Sequence, residues 1–255
     1  MEVHHHPDLH HNSKKWKEYF LEFLMIFLAV TLGFLAENLR EHIKNKNEVH
    51  ENMQSVLADL KSDVSHFNSV IDVNTYSYTL ADSLVSLLHN NISNTPQIYF
   101  HARSVTSNIN YFYTNSKTFD QMKASGVLKL VRPRKLLDSL GLYYVTFQFL
   151  SKQDDIVRLK LDAVHKGNNL LFDAYVFSQM KVGYDSVNRS HTIVQLPSGQ
   201  PPLLSTDYKT VNSVALNYYY LGAALKFDCV IAQRQKQLAI RLIELIKKEY
   251  QLDNE

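Results

Sequence analysis

The sequence is poor in cysteine, glycine and proline. Its 255 residues include a single cysteine, Cys229, with seven glycines and six prolines. One cysteine excludes an internal disulfide framework and a cysteine-rich metal site. So few glycines and prolines argue against a sheet-rich fold with many tight turns and favour long helices. The length is enough for one large domain or two small ones.

Motifs of common enzyme chemistry are also missing from the sequence. It contains no glycine-rich phosphate loop, no HExxH zinc motif and no GxSxG nucleophile elbow. Lys and Arg are dispersed among Asp and Glu, the formal net charge is +2, and no basic stripe alternates with aromatic residues. Nucleic acid is therefore not an expected partner. We predict that the protein is not an enzyme, and the sequence assigns no catalytic residue and no cofactor.

A long apolar run lies near the N-terminus, in KKWKEYFLEFLMIFLAVTLGFLAENLREH, residues 14–42. Residues 23–36 carry no charge, and as a helix they cover about 21 Å. Counting back to Tyr19 gives the length that a bilayer core needs, provided that Glu22 lies near the headgroups. Trp16 and Tyr19 fit an interfacial aromatic belt, and the lysines around Trp16 fit a cytoplasmic flank.

A cleaved signal peptide and a buried core helix are the alternatives to a membrane span. A signal peptide has the same basic flank and apolar run, but the cleavage pattern is poor because Phe34 stands where a small residue should precede Ala36. A surface helix would show one apolar stripe, whereas apolar residues here occur all the way round. The favoured interpretation is a retained transmembrane helix over residues 19–37, after a cytoplasmic tail over residues 1–18.

Glu22 and Glu37 bracket this apolar run. They are fifteen residues apart, which places them about 60° apart around a helix, on roughly one face. One interpretation is a ring of carboxylates in a homo-oligomer that selects cations or relays protons. The favoured interpretation places each carboxylate at one edge of the bilayer, paired with a nearby basic residue or a neighbouring chain.

Five histidines lie in the first eleven residues, MEVHHHPDLHH. Imidazoles bind zinc, nickel or copper, which makes these side chains the candidate metal ligands. The favoured interpretation is a solvated, partly protonated tail near anionic headgroups. The candidates are His4, His5, His6, His10 and His11.

Two segments resemble a family of uncharacterised bacterial single-span envelope membrane proteins. The first pairs EVHHHPDLHH with WKEYFLEFLMIFLAVTLGFLAENLREHI and covers about forty residues. The second, TFDQMKASGVLKLVRPRKLLDSLGLYY, is a looser match over about thirty residues. The resemblance implies a bacterial envelope protein with one N-terminal span. That family has no established activity, so the resemblance implies no catalytic residue.

Beyond the apolar run, the helical pattern continues with apolar residues spaced by fours and threes. Lys46 and His50 interrupt the pattern, which favours one face of a local bundle over a coiled-coil seam. Asp59, Asp63 and His66 also fall at helical spacing, and we interpret them as a hydrated face rather than a carboxylate–histidine group. The candidate interface stripe is Leu39, Ile43, Met53, Leu57, Leu60, Val64 and Phe67.

The rest of the chain predicts five further helices. Ser116 is expected to cap the start of the helix over residues 117–125, and Gly126 to end it. Gly167 and the asparagines after it would end the helix over residues 134–165. Asp207 is one of three capping candidates for the last. The helices are expected over residues 76–88, 117–125, 134–165, 170–180 and about 207–250.

Two of these helices carry long apolar stripes. The helix expected over residues 134–165 should bury Leu150, Ile156 and Leu159 on the same side. Residues 182–207 form an irregular insert, with residues 191–196 as a candidate strand. The last helix should bury Val211, Val214, Tyr218, Leu221, Leu225, Ala232, Ala239, Leu242 and Ile246.

These features predict a mostly all-α protein in which one N-terminal transmembrane helix continues into a long-helix bundle. Residues 38–255 would form an extracytoplasmic domain in the periplasm, with the tail cytoplasmic at the bacterial inner membrane. The expected function is that of a membrane-anchored, non-enzymatic scaffold or sensor in the envelope. Its expected partners are the bilayer and an unidentified envelope protein. The alternative is a homo-oligomeric pore that uses the two carboxylates.

Overall fold

The computed structural model describes residues 16–184 and 191–252. Within these residues the protein is all-α apart from one short antiparallel hairpin, so the predicted fold class is confirmed. In chain order the elements are α1 (Trp16–Asn90), α2 (Thr95–Ser107), α3 (Lys117–Ser125), a 3-10 turn (Val127–Leu130), α4 (Arg134–Leu171), α5 (Ala174–Gln179), β1 (Val182–Tyr184), β2 (Thr192–Val194) and α6 (Tyr208–Tyr250).

The chain divides into two compact units, residues 1–49 and 50–255. The described part of the first unit is the beginning of α1, and its large apolar side chains, such as Phe23 and Phe34, are exposed. Among the described helices, α1 alone has the length and composition to cross a membrane, and none of its most apolar 18-residue window is buried. Apolar residues surround this part of the helix on all sides, as in helices that cross bilayers.

Helices α4 and α6 lie antiparallel in the second unit. At one end the Tyr250 hydroxyl donates to the carbonyl of Arg132 at 2.8 Å. At the other end the Asn217 amide donates to the carbonyl of Ala163 at 3.1 Å. All nine residues of the predicted α6 stripe are buried, which confirms that prediction. An apolar stripe at helical spacing becomes the inner face because burying each large apolar side chain contributes about 1.5–3 kcal/mol.

The second unit's part of α1 packs closely against α6 at a glycine. A Cβ at Gly222 would lie 3.3 Å from the Cβ of Ala81, so the two helix backbones approach where both residues are small. Further along, the Cys229 thiol lies 3.6 Å from the Thr75 hydroxyl. An apolar core cluster of the second unit joins α1, α2, α4 and α6.

The predicted helix ends near Gly126 and Asp207 are confirmed. Gly126 ends α3 with a positive φ of 82°, a conformation that glycine adopts without strain. The Asp207 carboxylate accepts from the amide of Thr210 at 3.0 Å and so caps α6. Ser116 immediately precedes α3, but its hydroxyl donates to the Asp120 carboxylate instead of accepting from a backbone amide.

Four helices differ from the prediction, one of them α5, which begins at Ala174 instead of residue 170. The expected separate helix over residues 76–88 is part of α1, which runs unbroken to Asn90. Helix α2 is not among the predicted helices. Its Pro96 lies in the first turn, where a missing N–H costs nothing. Helix α4 continues to Leu171 through Gly167. A Cβ at Gly167 would lie 2.8 Å from the Asn217 amide nitrogen, so this glycine admits a neighbouring helix rather than ending its own.

The predicted apolar side of α4 is wrong in its second half. Ile156 and Leu159 are exposed, the latter at 65% of its surface. The buried positions there are Gln153, Asp154 and Val157. Asp154 occupies the inner face at this point because it binds a backbone segment that the sequence pattern does not reveal, as described next.

Candidate functional site

Residues 108–116 connect α2 to α3 with neither helix nor strand. We call them the extended segment. Backbone N–H and C=O groups that are removed from water need partners, and this segment has no ladder to supply them. Most of the partners come from one face of α1, the polar face, formed by Asp59, Asp63, His66, Asn74 and Ser77, all of which are buried.

Asn74 and Ser77 hold the beginning of the extended segment. The Asn74 side chain makes two hydrogen bonds to Asn110, donating to its carbonyl and accepting from its amide, each at 2.9 Å. This pairing satisfies the same two backbone groups that a neighbouring β-strand would satisfy. The Ser77 hydroxyl donates to the carbonyl of Asn108.

Asp63 and Asp59 hold the end of the segment. One oxygen of Asp63 accepts from the amide of Asn115 at 3.1 Å, and the other accepts from the Tyr143 hydroxyl at 2.8 Å. Asp59 accepts from the side chain of Asn115. Burial raises the pKa of Asp63, and these hydrogen bonds only partly offset it, while the nearby Asp59 raises it further.

His66 lies between these anchors and binds the middle of the segment. Its Nε2 lies 3.0 Å from the carbonyl of Tyr111 and 3.3 Å from the amide of Tyr113. In the neutral imidazole, the tautomer decides which hydrogen bond Nε2 makes. It donates to the Tyr111 carbonyl if it carries the proton and accepts from the Tyr113 amide if it does not. Burial lowers the pKa of His66, with the Tyr111 carbonyl opposing the shift. The neutral imidazole is therefore favoured near pH 7.

Helix α4 adds Asp154 to this arrangement. Both of its oxygens accept from the amide of Phe112, at 3.0 and 3.2 Å. Burial raises the pKa of Asp154 to about 6, although this hydrogen bond and the Arg158 charge both lower it. The Arg158 guanidinium lies 4.0 Å from the centre of the Tyr111 ring, in cation–π contact. The segment is thus held from two helices.

Asp228 is a fully buried carboxyl on α6 near the same place. Neither of its oxygens has a hydrogen-bond partner among the residues that the structure describes, and the buried amide oxygen of Gln235 also has none. Burial raises the pKa of Asp228 to about 7; the nearby Gln153 amide opposes the shift and the Asp154 charge adds to it. An unpaired carboxylate is costly in such a place, so the proton is retained to higher pH.

These groups make the packing of the extended segment sensitive to pH. Three carboxyls with raised pKa values and one imidazole with a lowered pKa lie in or beside the contact between the segment and the helices. The side chains of Asp63, Asp154 and His66 bind backbone groups of the extended segment directly. The polar atoms of these three residues are therefore engaged by the fold.

A cleft of about 370 Å³ lies between the extended segment, α3 and α4. Aromatic side chains from all three form its walls. Within it, the ring of Phe119 from α3 stacks on that of Tyr144 from α4, with centroids 4.4 Å apart. Polar lining groups include the exposed side chains of Asp120 and Lys123. The aromatic residues of the lining are Phe112, Tyr113, Phe119, Tyr144 and Phe147.

The two predicted membrane carboxylates both lie on the exposed first part of α1. Arg40 donates to both oxygens of Glu37, at 2.5 and 3.0 Å, one turn along the helix. Glu22 lies fifteen residues earlier, about 22 Å away along the helix axis. One chain therefore does not bring Glu22 and Glu37 together.

The candidate interface stripe falls in both units. In the first unit Leu39 and Ile43 are exposed. In the second unit Val64 is half-buried, and the others belong to the inner face of α1. Those buried members are Met53, Leu57, Leu60 and Phe67.

The five candidate metal ligands from His4 to His11 lie outside the described residues. Within residues 16–184 and 191–252, no three His, Cys, Asp or Glu side chains converge on a point that could hold a metal ion.

The hydrated-face interpretation of Asp59, Asp63 and His66 is wrong, because all three are buried against the extended segment. Sequence reasoning also missed Asp154 and Asp228. A signal for Asp228 was present, because it occupies the helical position between Leu225 and Ala232 in the buried α6 stripe. A charged residue inside an apolar stripe indicates a buried polar group.

Comparison of the chain with protein-family models, curated proteins and solved structures finds no match. The resemblance of the N-terminal segment to a bacterial envelope family therefore stays a prediction.

Proposed function

We propose that the protein is a membrane-anchored, non-enzymatic helical module, a scaffold or sensor in the bacterial envelope. Residues 19–37 would cross the inner membrane, with the N-terminal tail in the cytoplasm and the folded unit in the periplasm. The observation that carries the proposal is the 18-residue apolar window of α1, none of which is buried by the residues that the structure describes. A bilayer supplies the cover that such a helix lacks, and its backbone hydrogen bonds are already satisfied internally.

The non-enzymatic role is supported by how the buried polar groups are used. Asp63, His66 and Asp154 each bind backbone atoms of the extended segment. A general acid or base needs its reacting atom within reach of a substrate. Groups engaged in this way suit a module whose shape, rather than its chemistry, is what a partner recognises.

The homo-oligomeric pore is the alternative proposal. Its carboxylate ring would have to present Glu22 and Glu37 to a lumen. The two hydrogen bonds from Arg40 to Glu37 favour the anchor over the pore, because they neutralise this carboxylate within its own helix. Conductance across a bilayer, and its loss in Glu22→Gln, would be the finding that favours the pore.

A pair of matched double substitutions tests the anchor. Val30→Asp with Leu32→Asp places two charges in the apolar run, and Leu142→Asp with Val145→Asp places two charges on the folded unit. The four side chains are similarly exposed, at 68, 61, 64 and 63% respectively. An aspartate at the centre of a membrane helix costs about 2.5–3.5 kcal/mol, whereas an aspartate on a solvated helix surface costs far less.

The measurement is the fraction of protein that stays in the membrane pellet after an alkaline carbonate wash. The wild type and the control pair should stay in the pellet, and the Val30/Leu32 pair should be released. Release of the wild type, or equal retention of both pairs, would contradict anchoring through this segment.

A further inference from the structure

Helix α4 presents a row of large apolar side chains to solvent. Its inner face buries Leu140, Leu150 and Val157, and a second row lies on the outer side. The five apolar members of this second row have 45–65% of their surface exposed. Two of them are Ile156 and Leu159, for which the sequence pattern predicted burial. The whole row, which we call the outer seam, is Leu142, Val145, Phe149, Lys152, Ile156 and Leu159.

The outer seam has the spacing of a coiled coil. Its members follow one another in alternating steps of three and four residues, which are the a and d positions of a heptad repeat. This spacing keeps one line of side chains turned toward a partner helix over about 25 Å. Isolated exposed apolar residues are ordinary on protein surfaces, whereas a contiguous row of them marks an interaction site.

The exposed area of the outer seam matches one side of a homodimer interface. Its five apolar side chains together expose about as much surface as three fully accessible ones, on the order of 500 Å². One side of a standard interface covers about 800 Å², and about 65% of a homodimer interface is apolar. The outer seam therefore supplies the apolar part of such an interface by itself.

The order of residues along the outer seam favours an antiparallel partner. Reversing one copy brings each a position opposite a d position, and every apolar residue except Phe149 then faces another apolar residue. Lys152 lies along the Phe149 ring of the second copy, where its stem packs and its ammonium group is in cation–π reach. A parallel pair would instead set Lys152 against its own copy, and like charges repel. The facing pairs of the antiparallel arrangement are Leu142 with Leu159, Val145 with Ile156, and Phe149 with Lys152.

We propose that a second copy of this chain covers the outer seam, in an antiparallel dimer whose two-fold axis passes between Phe149 and Lys152. Such a dimer goes beyond the scaffold or sensor role. It involves the folded unit alone, so it does not depend on the membrane anchor. It also differs from the pore, which needs several copies around one lumen.

Cross-linking between introduced cysteines tests both the partner and its direction. Cys229→Ser removes the native thiol, and Leu142→Cys and Leu159→Cys are added to it singly and together. In the antiparallel dimer these two positions face each other within disulfide reach. Each position lies about 25 Å along the helix from its own copy.

The full-length chain is expressed in a bacterial host, and the cells are lysed without detergent, because detergent would cover the same apolar face. The lysate is oxidised and separated on a non-reducing gel. We expect a covalent dimer in the variant with both cysteines, while each single-cysteine variant stays monomeric.

A charge in the outer seam shows whether the cross-link reports the proposed contact. Val145→Asp, added to the variant with both cysteines, places a charge in an apolar layer and should slow cross-linking at least about tenfold. Ile193→Asp makes a similar change at an exposed position outside α4 and should leave the rate unchanged. The Leu142/Val145 aspartate pair that serves as the control for the anchor should prevent the dimer and still stay in the membrane pellet.

A covalent dimer of the Leu142→Cys variant alone would overturn the antiparallel direction. Absence of a cross-link in all three cysteine variants would overturn a second copy as the cover and leave the face to lipid or another protein. Cross-linking at the same rate with Val145→Asp would reflect random collisions and would equally contradict the proposal.

Discussion

Replacing Asp228 by Asn should raise the free energy of unfolding relative to the wild type, by an amount that grows with pH. The wild-type carboxyl is fully buried and has no hydrogen-bond partner among the described residues. As a neutral acid it is tolerated there, and as an anion it is strongly disfavoured. Asparagine has nearly the same shape and cannot ionise, so the variant isolates the charge from the packing.

The expected size follows from the pKa of Asp228. It is raised from 3.8 to about 7 in the folded protein. Each pKa unit corresponds to about 1.36 kcal/mol, so the full effect is on the order of 4 kcal/mol. The sign follows from proton binding. Between about pH 4 and 7 the unfolded chain has lost this proton while the folded chain keeps it. The wild type therefore loses stability as pH rises through this window, and the loss is constant above it.

The assay is urea unfolding of the full-length chain in maltoside micelles, followed by far-UV circular dichroism between pH 4 and 8.5. The free energy of unfolding of Asp228→Asn, minus that of the wild type, should be nearly constant below pH 4. It should then rise by on the order of 4 kcal/mol by pH 8. Asp72→Asn makes the same carboxyl-to-amide change at an exposed position on α1 and is the control. If the profiles of Asp228→Asn and the wild type stay parallel, the carboxyl is not retaining its proton and the reasoning is wrong.

Two further predictions concern stability in the same urea assay. Asp63→Ala should lower the free energy of unfolding by about 2–4 kcal/mol, because it leaves the buried Tyr143 hydroxyl and the part-buried amide of Asn115 unpaired. Asp72→Ala, an exposed change on the same helix, should have little effect on the free energy of unfolding. Similar losses of stability in the two variants would contradict the role assigned to Asp63. Gly222→Val should cost about 1–3 kcal/mol through overpacking where α1 meets α6, whereas Gly141→Val, with no atom within 4 Å of its added Cβ, should be tolerated. Equal effects at the two glycines would argue against the close helix approach.

The parts of the fold that follow from local sequence were predictable. The α6 stripe from Val211 to Ile246 is buried as its spacing indicates, because a regular apolar stripe has one favourable inner side. Asp207 and Gly126 mark helix ends because capping and positive φ depend on the residues next to them. The apolar run before residue 37 likewise has the composition of a membrane-crossing helix.

The polar contacts of the candidate site were not predictable, because their partners are distant in sequence. Asp63 binds the amide of a residue 52 positions later and the hydroxyl of one 80 positions later. A row of Asp59, Asp63 and His66 has the same periodicity whether it faces water or a buried backbone segment. The segment itself has no regular pattern to detect. For the same reason, the inner face of α4 carries Asp154 where the sequence pattern predicted Ile156. The Asp154 carboxylate binds the extended segment there.

The central claim is that the apolar run is a retained membrane anchor, and the mass of the protein in its membrane tests this most directly. The full-length chain would be expressed in a bacterial host, extracted from washed membranes and measured by native mass spectrometry. We expect the uncleaved chain of 29.5 kDa in the membrane fraction, without assembly into a closed ring. A soluble chain that lacks the residues up to about position 36 would contradict it, because the run would then be a cleaved signal. A defined ring of uncleaved chains would instead replace the scaffold or sensor with the pore.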